Sequence, residues 1–280
     1  MKFLCGTYFK SQCKFQLTHY KNARIPEFLY KENQAVSNNY VFCRPEHIAS
    51  LSNSLTFKKL ELPDSINLVT HNSDINFGEN EIKFVLKLLP NIKHWYTQNL
   101  LISHPQVSPI PIGIANPKWS HGSPARFANI IEENNVKDNL YYINFNVSTN
   151  PVARIACYDE LGIHNFPRYP NAASIKDHDQ FVESTQENYL RDISKSYFTV
   201  SPQGNGMDCH KTWEALYMKT IPIVTRWHGA EKFKELGIPF IIIDHWSEFK
   251  NLKLNKELYD EMWQDFDAAK LDFSFFKQNG

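Results

Sequence analysis

Short apolar, β-branched runs alternate with segments whose apolar residues recur every three or four positions, and the alternation continues along the whole chain. That rhythm predicts parallel strands joined by helical crossovers, an α/β fold. In the first half, Ile66 to Thr70 reads as a buried strand ending at His71-Asn72-Ser73-Asp74, and Glu81 to Leu89 as a helix stopped by Pro90. Lys93 to Tyr96 and Ser108 to Ile114 read as further strands. Pro109, Pro111 and Gly113 make the second of these short or merely extended. The polar stretch from Asn116 to Asn139, punctuated by Gly122 and Pro124, carries one helix over Pro124 to Glu133. It marks a boundary between two units, residues 1–130 and 131–280. The second unit reads as strand Leu140 to Phe145, helix Val152 to Leu161, helix Asp179 to Ser194, strand Tyr197 to Val200 and helix Asp208 to Lys219. Strands Ile221 to Val224 and Phe240 to Ile243 follow. In the tail, Lys256 to Phe276, the residues Leu258, Met262, Phe266 and Ala269 have helical spacing, and this helix is a candidate to pack back on the first unit.

Composition adds limits. A chain of 280 residues, 42% hydrophobic and 21% charged, has ample material for a core and suits two modest domains. Thirty basic and thirty acidic residues cancel, so no global field attracts nucleic acid or an anionic membrane. Any anion must be gripped locally. Five scattered cysteines without a C-x-x-C pair indicate neither a disulfide framework nor a zinc knuckle and point to a reducing compartment. The amino end lacks the apolar block of a secretory signal, and the longest apolar run, Ile238 to Ile243, is far short of the roughly 20 residues of a membrane span. A soluble, cytoplasmic chain is expected.

The chemistry concentrates in Tyr197 to Leu216. A buried strand runs through Ser201-Pro202-Gln203-Gly204-Asn205-Gly206-Met207 straight into a helix, so free backbone N–H groups and the positive end of the helix dipole point into one crevice. This geometry binds phosphate. Gly204 and Gly206 let the backbone approach an anion and take φ > 0 where needed, and Asp208 is a candidate N-cap. Cys209, Trp213, Leu216 and Tyr217 form one apolar stripe facing the sheet. His210 and Glu214 sit one turn apart on the neighbouring ridge, an imidazole near the anion and a carboxylate suited to ribose hydroxyls. The plainer account is a tight strand-to-helix connection carrying a satisfied His–Glu pair. Two ligands without a third do not make a zinc site. A dinucleotide fingerprint would need glycine where Cys209 stands. Arg226, twenty residues past Gly206, nevertheless keeps an NADP-dependent oxidoreductase as an alternative.

The segment from Ser194 to Tyr217, followed by Ile221-Pro-Ile-Val224, resembles the donor-binding motif of exostosin-like glycosyltransferases. The likeness extends to Thr70-His-Asn-Ser-Asp74, Gln98-Asn99, His104-Pro105, Pro111 to Asn116 and Ser148 to Arg154. Within that family it is similar to the short enzymes of large algal viruses, xylosyltransferases among them. The resemblance implies a GT-B architecture, two facing Rossmann-like domains with the donor nucleotide on the second and the acceptor on the first. It implies a UDP-sugar donor, xylose first, and a hydroxyl of a glycan or glycoprotein as acceptor. Glu214 would bind the ribose, while Ser201, Gly204, Asn205, Gly206, Asp208 and His210 would line the diphosphate and sugar, with Arg154 supplying a fixed positive charge. Lys211 stands where an arginine is common, so a bidentate grip is not expected there.

Sugar transfer needs stabilisation of the departing diphosphate and a base for the acceptor hydroxyl. The helix N-terminus, Arg154 and His210 or Lys211 meet the first need without a metal ion, so no metal cofactor is expected. For an inverting reaction the base stands across the cleft. Asp74 is the first candidate and His71 the second, because their loop opens at the carboxyl edge of a parallel sheet. Asn72, Ser73 and Asp74 are also good turn formers. The triplets Asp177-His178-Asp179 and Asp265-Phe266-Asp267 do not end buried strands and read as turn or helix residues. Trp119 and Trp227 follow strands and are candidates to stack on sugar. A non-catalytic sugar-binding module is the remaining alternative.

Overall fold

The computed structural model describes residues 2–19, 28–48, 63–164 and 178–279, organised around two sheets. The first has the order β2-β1-β3-β4-β5-β6 and contains β1 (Phe15–His19), β2 (Phe28–Glu32), β3 (Tyr40–Cys43), β4 (Ile66–Thr70), β5 (Ile92–Thr97) and β6 (Val107–Pro109). Only the β1–β2 pair is antiparallel within it. The second has the order β10-β9-β8-β7, with β7 (Asn139–Tyr142), β8 (Ser196–Val200), β9 (Ile221–Thr225) and β10 (Ile241–Ile243), all parallel.

The helices among the described residues are α1 (Gly6–Ser11), α2 (Glu79–Leu88), α3 (Pro124–Glu132), α4 (Pro151–Glu160), α5 (His178–Ser194), α6 (His210–Tyr217), α7 (His228–Glu235), α8 (Lys256–Gln264) and α9 (Phe273–Asn279). Their starts follow local chemistry. Glu81 reaches back to accept the Gly78 N–H at 3.0 Å at the head of α2. Ser123 caps α3 and Asn150 caps α4, each followed by a proline whose missing N–H costs nothing in the first turn.

Alternating residues of each strand face different cores. Ile66 and Leu68 of β4, with Trp95 of β5, pack under α2 on the outer side of the first sheet, whereas Val69 and Tyr96 face inward. Phe198, Val200, Ile221 and Ile223 cover the outer side of the second sheet with Cys157 and Tyr158 of α4 and Tyr259 of α8. The inner cluster is shared: Phe3, Leu4, Phe9, Ile110, Ile112 and Phe127 pack with Trp213, Leu216, Phe233 and Phe240. Each large side chain fully buried this way contributes about 1.5–3 kcal/mol, so the contact between the units is itself a core.

The tail differs from a single helix. Asp265 ends α8, Asp267 accepts the Ala269 N–H at 2.8 Å to start a short 3₁₀ turn, and Asp272 accepts the Ser274 N–H at 2.8 Å as α9 begins. The chain therefore turns back. Phe273 of α9 lies edge-on to Phe9 at 5.0 Å and to Tyr96 at 5.7 Å, which fastens the carboxyl end to the first unit. The strand expected to run to Ile114 is limited to Val107–Pro109, because Pro109 and Pro111 have no N–H for a ladder. The carboxyl edges of the two sheets face each other, as the contacts across them show below. That is the facing α/β arrangement expected of the resemblance.

Candidate active site

Thr70 and Thr97 end β4 and β5, and shortly beyond them Asn72 (φ 66°) and Asn99 (φ 55°) adopt left-handed backbone. Asparagine tolerates this conformation far better than a branched residue. The resulting sharp turns bring their side chains to the carboxyl edge of the first sheet. Opposite them, β8 runs into residues 201–209 and then α6.

The 204–208 loop is seated on the first unit. Asn205 Nδ2 lies 3.4 Å from Asp74 Oδ2, the Met207 N–H is 3.4 Å from Asn76 Oδ1, and the Asp208 N–H donates to Asn99 Oδ1 at 2.9 Å. Gly206 is required by this approach, since a Cβ there would come within 2.5 Å of Asn99 Nδ2. Neither Gly204 nor Gly206 has positive φ, so the expected left-handed role is replaced by close contact. Asp208 is not the N-cap; Cys209 occupies that position with extended backbone and no side-chain cap bond. The Asp208 carboxylate instead accepts the Ile112 N–H at 2.7 Å and lies 2.9 Å from Trp213 Nε1. Burial pushes its carboxyl up to about 7 against these stabilising N–H donors. Such a group holds the turn in place rather than offering itself to a ligand.

The cations are fixed by backbone carbonyls. Arg154 on α4 donates from Nε to Gln203 O at 3.1 Å and from Nη1 to Asn146 O at 2.6 Å. Its Nη2 lies 3.5 Å from where a Cβ on Gly204 would stand and has no protein acceptor among the described residues. Asn150 Nδ2 donates to Gly204 O at 2.7 Å, steadying the same loop. Lys211 donates to Asn144 O at 2.7 Å and lies over the rings of Tyr142 and Tyr189 at 4.9 and 5.3 Å. Burial pulls its ammonium down to about 7.

Glu214 is buried rather than riding a surface ridge. Tyr189 OH donates to its Oε2 at 2.8 Å, and burial raises the carboxyl above the ordinary range, opposed by Tyr189, His121 and Lys211. Ser201 turns inward, its hydroxyl within 2.9 Å of Thr212 Oγ1 and 3.2 Å of Cys209 Sγ. Its side chain supports the helix start and does not face the cleft. Cys209, Trp213, Leu216 and Tyr217 are buried, as the apolar stripe requires.

Two imidazoles meet near Asp74. His71 is buried, stacked on Phe9 at 4.9 Å, accepts the Asn72 N–H at Nδ1 (2.7 Å) and donates from Nε2 to Pro111 O (3.0 Å). Burial pushes it down to about 4. With both nitrogens engaged by backbone, His71 has no free lone pair, so this geometry does not suit it as the base. His210, the first residue of α6, lies 2.7 Å from Gly113 O through Nδ1. A carbonyl only accepts, so Nδ1 carries the proton. Asp74 is exposed at the mouth of the cleft.

Asn99, Gly113, Asn150 and Tyr189 are site-building residues that local motifs did not single out for these roles. The first three had sequence signals, an Asn after a strand, a Gly between isoleucines and an Asn before a helical proline, and Tyr189 had none. Among the other candidates, Trp227 is buried against Phe233, while Trp119 stays exposed with Lys118 Nζ 4.9 Å from its ring. Arg226 is tied to Asp244 at 2.5 Å and Glu231 at 2.6 Å. Asp267 caps the turn described above, and Asp177-His178-Asp179 lies outside the residues whose side chains are described. Among the described residues no three His, Cys, Asp or Glu side chains gather as a metal site would need, and no helix is long and apolar enough to cross a membrane.

Residues 171–267 match the family model described as RXYLT1 C-terminal domain, a span of about a third of the chain that contains β8, α6, β9 and β10. No curated protein matches the chain in sequence. Among solved structures, it is similar to an α,α-trehalose-phosphate synthase (UDP-forming) from Burkholderia xenovorans in complex with glucose-6-phosphate. That likeness has 11% identity and a TM-score of 0.47 over 87% of this chain and 73% of the other.

Proposed function

We propose that this chain is a glycosyltransferase that moves a sugar, xylose first, from a UDP-linked donor to a hydroxyl of a glycan or glycoprotein, with inversion at the anomeric carbon. The observation that carries the reading is Arg154, anchored by two carbonyls with its Nη2 left open beside Gly204 at the entrance to α6. A diphosphate seated there meets a prepositioned guanidinium and the positive end of a helix, both preorganised for the charge that develops on the leaving group. Glu214, steadied by Tyr189, suits the ribose hydroxyls, and Lys211 braces the same turn from behind by donating to Asn144 O.

The match of residues 171–267 to a xylosyltransferase-like family supports sugar transfer and xylose as the first donor to try. A reading as an NADP enzyme loses support because Arg226 is occupied by two carboxylates. The five cysteines, all unpaired and buried, favour a reducing compartment.

Thermal shift against UDP, UDP-xylose, UDP-glucose, GDP-mannose and NADP tests the reading. A ligand at 100 times its Kd adds about 2.7 kcal/mol of stability. Stabilisation by UDP and UDP-xylose but not NADP is expected. Stabilisation by NADP alone, or by none of the five, would end the proposal. UDP release from UDP-xylose separates an enzyme from a binding module.

A further inference from the structure

A cavity of about 240 Å³ lies between the edge of the first sheet at β6 and helix α7 of the second unit. Arg154, Gly204, Lys211 and Glu214 of the donor turn are not in its wall. The first unit contributes His94 of β5, His104 and Ser108 of β6. Helix α7 contributes His228, Lys232 and Glu235, which stand on one helical face at i, i+4 and i+7.

This wall is rich in hydrogen-bond donors. The Gln106 N–H donates to His104 Nδ1 at 3.2 Å, so the neutral ring carries its proton on Nε2, which has no acceptor among the described residues. The His228 ring has no hydrogen-bond partner among them either. His94 Nε2 lies 2.8 Å from Ser108 Oγ, which fixes that ring across β5 and β6. Lys232 is the fixed cation. Its Nζ lies 2.7 Å from Glu235, an exposed and therefore weak pair from which an anion can draw the ammonium. Two other ligand classes fit less well. No three His, Cys, Asp or Glu side chains among the described residues gather as a metal ion would require. A sugar needs an open aromatic face, and Phe276, the one benzene ring in the wall, is 1% exposed.

We infer that this cavity binds a tetrahedral oxyanion, a phosphate or sulfate group, held from both units at once by His104, His228 and Lys232. Such a ligand clamps the β6 edge to α7, and its binding is independent of a nucleotide donor. The titratable groups in the wall are His94, His104, His228, Lys232 and Glu235, and Glu231 acts on His228 from their shared helix. Burial holds His94 and His228 below the ordinary imidazole value, with Lys232 lowering His228 further and Glu231 and Glu235 opposing it. A bound anion favours the charged rings, so binding takes up protons. Sulfate, which does not itself titrate near neutrality, should therefore bind more tightly at pH 6 than at pH 8.

Isothermal titration of the full chain with sodium sulfate at both pH values tests this, with His228→Gln, Lys232→Gln and Arg154→Gln alongside. His228→Gln and Lys232→Gln are each expected to weaken sulfate by about tenfold, the loss of one charge-assisted hydrogen bond. Arg154→Gln should stay within about twofold of wild type. Glu235→Gln should tighten binding by releasing Lys232. Loss of sulfate binding in Arg154→Gln alone would place the anion at the donor turn and overturn the inference, as would the absence of saturable binding to wild type. Inorganic phosphate and glycerol phosphate separate the two sources of the group: tighter glycerol phosphate identifies an ester, and tighter phosphate the free ion. A readout on wild type avoids any loss of folding in the variants. In ¹⁵N NMR of the histidine rings, sulfate should move His104 and His228 and leave His210 in place. Movement of His210 alone, or zinc occupying the three cavity imidazoles and excluding sulfate, would refute the oxyanion site. UDP titration reports separately on the donor turn, so failure of one site leaves the other standing.

Discussion

Asp208 accepts the Ile112 N–H at 2.7 Å across a sequence separation of 96 residues, so one buried carboxylate joins the loop of the second unit to the segment after β6 in the first. Trp213 Nε1, within 2.9 Å of both oxygens, holds the same group from α6. The donor-side turn is therefore shaped by the opposite sheet as much as by its own.

Burial raises Asp208 from an ordinary value of 3.8 to about 7, which means that the folded chain binds this proton more tightly than the unfolded chain. Its contribution is fully present below the ordinary carboxyl value and is lost as pH rises through 7. In urea titrations from pH 5 to 8, the stability margin of wild type over Asp208→Asn should shrink as pH rises. A constant margin would mean that the carboxyl titrates alike in both states.

His71 gives the opposite slope. Its value falls from 6.5 to about 4 on folding, so the unfolded chain binds more protons and the contribution present above 6.5 is lost as pH drops toward 4. His71→Gln should remove that acid limb. At pH 7.5 it should cost about 1–3 kcal/mol, the range for leaving buried partners such as Pro111 O unsatisfied. Circular dichroism melts at pH 5 and pH 7.5 would check both parts.

Gly206→Ala places a methyl 2.5 Å from Asn99 Nδ2, and Asn99 cannot retreat freely because its Oδ1 receives the Asp208 N–H. A loss of about 1–3 kcal/mol is expected. In an Asn99→Ala background the same change should cost at least about 0.5 kcal/mol less, since contacting residues couple. Equal costs in a double-mutant cycle by chemical denaturation would show that this contact does not set the requirement for glycine.

Much of this architecture is readable from sequence. Pro90, Pro124 and Pro151 punctuate helices, and Ile66 to Thr70 appears as a strand with the limits observed. What escaped depends on partners far along the chain. The β1 segment, Phe15–His19, is mixed in polarity and the β3 segment, Tyr40–Cys43, is only four residues long, so their pairing rather than their pattern defines them. The tail looked continuous because Phe266 and Ala269 keep helical spacing, yet Asp267 and Asp272 each start a new element. At the site, the strand–turn–helix was plain. The inward turn of Asp208 and the closure of His71 were not, since they require Ile112 and Pro111, whose positions opposite those residues no local pattern encodes.

Glu214 and Tyr189 supply the sharpest check on donor binding. Tyr189 donates to Oε2 at 2.8 Å, an arrangement that orients the carboxylate while burial opposes its charge. Glu214→Gln keeps the shape and an acceptor for Tyr189 but removes the charge. If the carboxylate binds ribose hydroxyls, a charge-assisted bond worth about 1.5–3 kcal/mol becomes a neutral one, and the Kd for UDP should rise on the order of tenfold. The melting temperature should hardly fall, because a buried charge has been removed along with its desolvation cost. Tyr189→Phe leaves the carboxylate less well supported, so UDP affinity should decline most at low pH, where Glu214 is more readily protonated. Isothermal titration at pH 6 and pH 8 resolves the three proteins. An unchanged Kd in Glu214→Gln would move the ribose away from this residue.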